Sequence, residues 1–229
     1  MDINNTDRKK MDNSGDMHAI LNLDHQFCYV NPAWYNWYDL NAKQFDAVSR
    51  HYSAIPNKIF ECCSDRFEVQ DNRTIVSRQA VSTFGVHYCK YHKGYRASIC
   101  TISPIIKNDL VIGLNGHAKL LSRIFIEKQK KIQAEYKITL SDMVMTIGSP
   151  DGIGDAMFTS LFLYLIGFNE KQIAYIRNKS IRTIYAQLDT LKFKLNVDNK
   201  EQLKEFAIQK QWYLYLPKDL TGKELCMII

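Results

Sequence analysis

The stretch from Gly167 to Leu195 constrains the fold more than any other part of this chain. A short segment containing Ile173 and Ala174 follows the glycine and has the length of one short helix. Ser180 comes next, and its hydroxyl can accept hydrogen bonds from the free backbone N–H groups at a helix start. Apolar residues then recur at helical spacing, at Ile184, Leu188, Leu191 and Leu195. The pattern predicts two helices joined by a tight turn.

The opposite face of the second helix is polar and presents Arg182, Tyr185, Gln187 and Asp189. A short polar and basic helix, held by a preceding helix, is the arrangement with which a helix-turn-helix reads the DNA major groove. The alternative is an ordinary pair of amphipathic helices in an interaction domain.

This order of residues resembles LuxR-type DNA-binding domains. In that family a glycine ends the first helix, a KxIA-like segment forms the second, and S-x-x-T-[VI] opens the recognition helix. A Lys-Leu-x-Val segment then ends the recognition helix, and a last helix follows. The matching positions here are Gly167, Lys171 to Ala174, Ser180 to Ile184, Lys194 to Val197, and 199–211.

The resemblance implies which residues contact DNA. Tyr185, Ala186 and Asp189 fall where the family presents side chains to base edges, and Arg182 lies beside them. Thr183 and Lys192 are placed for phosphate, because a hydroxyl and an ammonium suit its oxygens. The complete predicted DNA-binding set is Lys171, Lys179, Ser180, Arg182, Thr183, Tyr185, Ala186, Gln187, Asp189 and Lys192.

Four positions depart from the LuxR-type pattern. Arg177 and Lys179 stand where the family buries apolar residues, and Gln187 replaces a common histidine. Asp189 is acidic where a basic residue often faces DNA. We expect it to accept from a cytosine amino group or to pair with Arg182 or Lys192.

The last predicted helix carries an apolar stripe of Leu203, Phe206 and Ala207. In LuxR-type domains the last helix forms the dimer contact, so the resemblance implies that these residues join two subunits. One reading helix makes few contacts, and a two-fold pair doubles the half-sites. A homodimer is therefore the expected DNA-binding species.

The net charge of +6 is concentrated in two places. Residues 119–138 carry six Lys and Arg against two acidic residues, and residues 171–194 carry six against Asp189 alone. Neutralising phosphates requires this kind of local concentration. A solvated charged face is the alternative that charge alone does not exclude.

The first half of the chain alternates like an antiparallel sheet. Two short strands are predicted around Asp24-His25, then helices through 34–60 and 65–79, then strands over 80–91, 95–106 and 110–117. The opening L-D-x-x-F-x-Y-V-N-P-A and this order of elements resemble a PAS domain, over about 100 residues.

The expected fold is an α+β PAS-like domain, with a five-stranded antiparallel sheet and helices, followed by an all-α four-helix LuxR-type domain. The expected division is a disordered leader over 1–16, the PAS-like domain over 17–118, a basic helical linker over 119–150 and the helix-turn-helix domain over 151–229. A breaker cluster at 149–154 sets the last boundary.

No catalytic set, metal site or cofactor is predicted. The flavin motif N-C-R-F-L-Q is absent, Gly113 and Gly116 lack the lysine of a phosphate-binding loop, and the six histidines form no metal-like pair. Aromatic residues can instead line an apolar pocket for a small ligand: Trp34, Trp37, Tyr38, Phe60, Phe67 and Phe84.

The sequence thus predicts a bacterial, cytoplasmic transcription regulator that binds double-stranded DNA and is not an enzyme. It resembles PAS-containing LuxR-type regulators and, more loosely, the activators of conjugative plasmid transfer operons. Candidate partners are a second copy, a small molecule in the PAS-like domain, and RNA polymerase or other transcription factors, with no membrane. The alternatives are a signalling adaptor and a small-molecule sensor without DNA-binding activity.

Overall fold

The computed structural model of the chain describes residues 4–89, 94–121, 145–221 and 225–228. These residues form an antiparallel sheet with helices in the first half and a cluster of four helices in the second. Among them, no helix is both long enough and apolar enough to cross a membrane.

The first half has the predicted order of two strands, helices and three more strands. His25 has a positive φ of 59° in the turn between the first two strands, where the sequence predicts a turn at Asp24-His25. Asn31 caps the next helix by accepting from the backbone N–H of Trp34 at 3.1 Å. The elements are β1 (Met17–Leu21), β2 (Phe27–Val30), α2 (Pro32–Trp37), α3 (Lys58–Ser77), β3 (Val81–Cys89), β4 (Gly94–Lys107) and β5 (Leu110–Leu120).

The sheet has one strand more than the sequence predicts. The strand order is β2-β1-β5-β4-β3-β8, where β8 is Leu225–Ile228 from the far end of the chain. All neighbouring strands in this sheet are antiparallel. The second half of the molecule therefore supplies an edge strand to the sheet of the first.

The expectation of a disordered leader over 1–16 is wrong for the part that the structure describes. Helix α1 spans Asn5–Asp12 and is capped by the side chain of Asn4. The Tyr29 hydroxyl donates to Asp12 at 2.7 Å, and the Asn31 side-chain amide donates to the carbonyl of Met11 at 2.8 Å. These hydrogen bonds attach a polar helix that has no buried side chain of its own.

The second half contains the four predicted helices: α4 (Asp155–Leu165), α5 (Glu170–Ile176), α6 (Ile181–Leu195) and α7 (Lys200–Gln209). It is not purely helical, because β6 (Thr146–Ile147) pairs in parallel with β7 (Tyr215–Leu216). Most of the predicted helical linker, residues 122–144, lies outside the described residues, and 119–120 belong to β5.

Two hydrophobic cores lie on opposite faces of β3 and β4. One is enclosed between the sheet and α2 and α3, and its largest side chains include Trp34 and Phe60. The other joins the outer sheet face to the four-helix half, where the rings of Phe84 and Phe168 pack edge to face at 5.7 Å. The sheet therefore contributes one face to each of the two cores.

Candidate nucleic-acid interface and ligand pocket

Helices α5 and α6 form the predicted helix-turn-helix. The side chain of Asn169 accepts from the N–H of Gln172 at 3.0 Å, and the Gln172 side chain accepts from the N–H of Asn169 at 2.9 Å. This reciprocal cap fixes the start of α5. Ser180 caps α6 as predicted, because its hydroxyl accepts from the N–H of Thr183 at 3.1 Å.

The two faces of α6 separate as the sequence predicts. Ile184, Leu188 and Leu191 are fully buried in the domain core. Arg182, Tyr185, Ala186 and Asp189 lie on the exposed face, and Asn196 ends the helix in a left-handed conformation with φ 52°. The predicted base-reading residues therefore share one solvent-facing surface, which we call the reading face.

Asp189 forms an ion pair within the reading face. The Nζ atom of Lys192 lies 2.9 Å from the Asp189 carboxylate, which is one of the two pairings expected from the sequence. The ammonium of Lys200 lies 4.7 Å from the centre of the Tyr185 ring and pairs with Glu170. Lys200 therefore adds a cation beside the reading face. The sequence pattern does not identify it, because Lys200 belongs to α7 and not to the helix-turn-helix segment.

The remaining predicted residues lie around this face. Lys171 on α5 and Lys179 and Ser180 in the turn are exposed, and Thr183 is half-buried. Tyr175 lies one helical turn after Lys171 and is 88% exposed, although no DNA role is predicted for it. An exposed aromatic phenol between two exposed lysines suits a phosphate backbone, because its hydroxyl donates a hydrogen bond.

Gln187 does not belong to the reading face. Its side-chain oxygen accepts from the Ser160 hydroxyl at 2.8 Å and from Nη1 of Arg177 at 2.6 Å, and that Nη1 also lies 2.5 Å from Ser160. The departure at Arg177 is explained by the same cluster, because Ser160 and Gln187 provide the acceptors that a half-buried guanidinium needs.

The predicted dimer residues are wrong for Leu203 and Ala207. Both are fully buried within their own domain, where the stripe of α7 packs in the core that also contains α6. Phe206 is half-buried against Trp212, with ring centres 5.5 Å apart. Leu203 and Ala207 are already covered by their own chain and cannot also contact a second subunit, whereas the dimer role of Phe206 stays a prediction.

A cavity of about 60 Å³ lies inside the PAS-like half. This volume is enough for on the order of five water molecules. Five of the six aromatic residues predicted to line a pocket surround it, whereas Phe84 faces the other side of the sheet. Its polar lining includes Gln70, Thr83, His87 and Ser98.

His87 is the distinctive polar group of this cavity. It is 4% exposed, and among the described residues its Nε2 atom has no hydrogen-bond partner. Burial, and to a lesser extent the nearby Arg96 charge, lower the pKa of His87 to about 4. Its ring lies 5.4 Å from that of Trp37. A neutral imidazole with an unused nitrogen is thus fixed at the wall of an apolar space.

A second buried polar group lies behind the cavity wall. Asp71 accepts from Nδ1 of His25 at 2.9 Å and from the hydroxyl of Tyr52 at 3.0 Å, and the Tyr52 ring lines the cavity. Burial raises the pKa of Asp71 to about 6, although both hydrogen bonds oppose this rise. Within the described ranges no group of three or more His, Cys, Asp and Glu side chains is placed to hold a metal ion.

Comparison with known proteins rests on structure alone. No protein-family model matches this chain, and no curated protein matches it in sequence. The chain is similar to the Vibrio cholerae VqmA–ligand–DNA complex, with 20% identity, 100% of this chain and 96% of that chain covered, and a TM-score of 0.57.

Two further solved structures give the same result. The phage VqmA–DPO complex is 20% identical, covers 98% of this chain and 94% of its own, and has a TM-score of 0.58. The Vibrio cholerae VqmA dimer without target DNA, described as a LuxR-type receptor, is 18% identical over 100% and 97%, with a TM-score of 0.59. The likeness establishes the fold over the whole chain: an α+β domain built on an antiparallel sheet, followed by a helical domain that contains the helix-turn-helix.

Proposed function

We propose that this protein is a bacterial transcription regulator that places α6 in the DNA major groove. The observation that carries the proposal is the reading face: exposed polar side chains on a capped helix, in the fold of a receptor solved with DNA. The sensing domain covers 17–118 and the reading domain 151–229. The protein acts in the cytoplasm and has no catalytic activity.

Contacts divide between bases and phosphates. Arg182, Tyr185, Ala186 and Asp189 face base edges and set the preferred sequence. Lys171, Lys179, Ser180, Thr183 and Lys192 bind the phosphate backbone, together with Tyr175, which the sequence does not single out. Gln187 stabilises the domain from within.

The DNA-binding species is a homodimer. One short recognition helix contacts few bases, and a two-fold pair reads two half-sites about one helical turn apart. The Vibrio cholerae VqmA described above is a dimer. Because Leu203 and Ala207 are buried, the subunits meet elsewhere than on the inner stripe of α7. Light scattering at micromolar concentration should give twice the monomer mass.

The cavity binds a small neutral molecule with a group that hydrogen-bonds to His87. The apolar lining disfavours charge, and the free Nε2 atom needs a partner. DPO, which phage VqmA binds, is the first probe to use. A rise in melting temperature of the parent and no rise in a His87→Leu variant would support this site. Equal shifts in both would contradict it.

DNA selection tests the main proposal. Random duplexes retained by the purified chain should converge on one sequence with two-fold symmetry. Gel shifts with that sequence should weaken steeply with salt, because phosphate binding releases counterions. An adaptor that uses apolar helices would select no sequence and show no such slope. A reporter assay with RNA polymerase then shows whether the bound protein activates transcription.

A further inference from the structure

The edge of β3 is occupied by a strand from the opposite end of the chain. Residues 225–228 run antiparallel to β3, with Thr83 opposite Ile228, Gly85 opposite Cys226 and Val86 opposite Leu225. Without β8, strand β3 would be the edge of the sheet, since β4 covers only its other side. An uncovered edge presents unpaired backbone N–H and C=O groups that accept an extended peptide.

A shallow groove continues this edge onto α3. It lies between β3 and α3, and its lining includes Val69, Val76, Val81 and Ile228. Val76 is 83% exposed and Val69 is 45% exposed, so the groove offers apolar surface next to the strand. Ile228 of β8 is part of the lining and both valines are exposed beside it, so the groove is open while the strand is bound. The backbone edge of β3 is therefore what holds the strand, and the groove adjoins it.

The strand is attached to the reading domain just before it reaches the sheet. Leu216 and Leu220 are buried in the core of the four-helix half, and the hydroxyl of Thr159 on α4 lies 3.3 Å from the carboxylate of Asp219. Only residues 221–224 separate this anchor from β8. A peptide on so short a tether has a high effective concentration at the site.

Strand β3 also separates the cavity from the reading domain. Thr83, Gly85 and His87 line the cavity, whereas Phe84 and Val86 are fully buried in the core shared with the reading domain. The four residues 83–86 that pair with β8 therefore include side chains of both kinds. A strand bound at this edge therefore holds β3 in position both as a wall of the cavity and as part of the core shared with the reading domain.

We propose that the β3 edge is a peptide-binding site whose ligand is the chain's own strand 225–228. Bound in cis, this strand ties the reading domain to the sensing sheet. The site takes an extended apolar peptide in antiparallel register. The proposal concerns binding within the chain and is independent of whether α6 binds DNA.

Removing and replacing the strand tests the site. A chain truncated after Thr221 keeps Leu216 and Leu220, and circular dichroism should confirm that its helices remain. Amide exchange at residues 83–86 should accelerate at least about tenfold, because these backbone groups lose their partners. A labelled peptide of residues 222–229, with serine in place of Cys226, should restore the protection.

The same peptide should bind the full chain at least about tenfold more weakly, since the tethered strand already fills the site. A peptide carrying Met227→Pro is the matched control, because proline removes an N–H from the ladder. Unchanged exchange after truncation, or equal peptide binding to both chains, would overturn the proposal.

A disulfide trap tests the register without truncation. Residues directly opposite in an antiparallel pair lie within disulfide reach, so Gly85→Cys should cross-link to the native Cys226 in the full chain. Oxidation should give a monomer with that disulfide by peptide mapping, and adding Cys226→Ser should abolish it. A Gly85→Ser variant controls for side-chain size. A missing cross-link, or one that joins two chains, would show that the strand does not bind in cis.

Discussion

The sensing domain over 17–118 and the reading domain over 151–229, called here the sensing half and the reading half, use buried polar groups in opposite ways. In the reading half, Ser160, Arg177 and Gln187 satisfy one another inside the domain, and the residues that we propose to act point outward. In the sensing half, the buried polar atoms that have no hydrogen-bond partner among the described residues include Nε2 of His87, which lines the cavity, and one carboxylate oxygen of Asp71, which lies behind the cavity wall.

This difference is consistent with what we propose that each half binds. A DNA duplex is larger than the domain, so the groups that contact it must lie on the surface and the interior has only to be stable. A small molecule is enclosed, so the group that recognises it must be buried and has no hydrogen-bond partner until the ligand binds. An unsatisfied buried atom costs about 1–3 kcal/mol. When such an atom faces a cavity, its cost in free energy indicates a role in binding a ligand.

The largest expected effect is on the pH dependence of stability in the sensing half. His87 has a pKa of about 4 in the fold against 6.5 normally, so its contribution is complete above pH 6.5 and is lost as pH falls toward 4. Asp71 has a pKa of about 6 against 3.8, so its contribution is complete below 3.8 and is lost as pH rises through 6. Each amounts to about 3 kcal/mol.

The two contributions oppose each other between pH 4 and 6, so the parent should show a nearly flat profile there. His87→Leu should leave stability falling as pH rises through this window, and Asp71→Asn should leave it rising. Urea unfolding at intervals across the window measures both slopes. Parallel profiles in all three proteins would show that these groups do not titrate as their burial requires.

The next effect is on DNA affinity. Arg182→Ala and Tyr185→Ala should each weaken binding to the selected sequence by about 1–3 kcal/mol, because each removes a contact to a base edge. Both side chains are exposed, so the unfolding free energy should change by less than about 0.5 kcal/mol. Gel shifts with specific and random duplexes, beside circular dichroism of each variant, test the pair. Normal affinity in both variants would remove α6 from the interface.

Local patterns were sufficient to predict the reading half because its helices are amphipathic and capped. The spacing of Ile184, Leu188 and Leu191 identified the buried face of α6, and Ser180 identified its start. The order of strands and helices in the sensing half was also predictable, since alternation and turns are local signals.

Long-range contacts were not predictable in the same way. The pattern of α6 predicts that Gln187 is a surface residue. In the fold it is hydrogen-bonded to Arg177 and Ser160, which lie ten and twenty-seven residues earlier in the chain. Leu203 and Ala207 form a stripe that fits either a subunit interface or a domain core, and periodicity does not distinguish them. Strand β8 pairs with residues more than a hundred positions earlier, which no local pattern indicates.

A smaller effect is expected from the satisfied cluster of the reading half. Arg177→Ala should lower the free energy of unfolding by about 1–2 kcal/mol, since Gln187 and Ser160 lose a charged donor. Arg177→Leu, with Gln187→Leu and Ser160→Ala added, should recover most of this loss, because all three members of the cluster are then apolar. Urea unfolding of the three proteins measures the difference. If the Arg177→Ala variant is as stable as the parent, the hydrogen bonds of this cluster do not stabilise the reading half.

The smallest effect concerns Lys192, which is paired with Asp189 in the free protein at 2.9 Å. If Lys192 exchanges this partner for a phosphate on binding, Lys192→Ala should weaken specific and random DNA alike and reduce the salt slope by about one ion. Lys43→Ala, the same charge change at an exposed position in the sensing half, should leave the slope unaltered. Asp189→Ala should raise affinity for random DNA and relax selectivity, because it removes a negative charge and a hydrogen-bond acceptor. If Lys192→Ala leaves the slope unchanged, Lys192 stays with Asp189 in the complex, and the reading half holds satisfied polar pairs on its surface as well as inside.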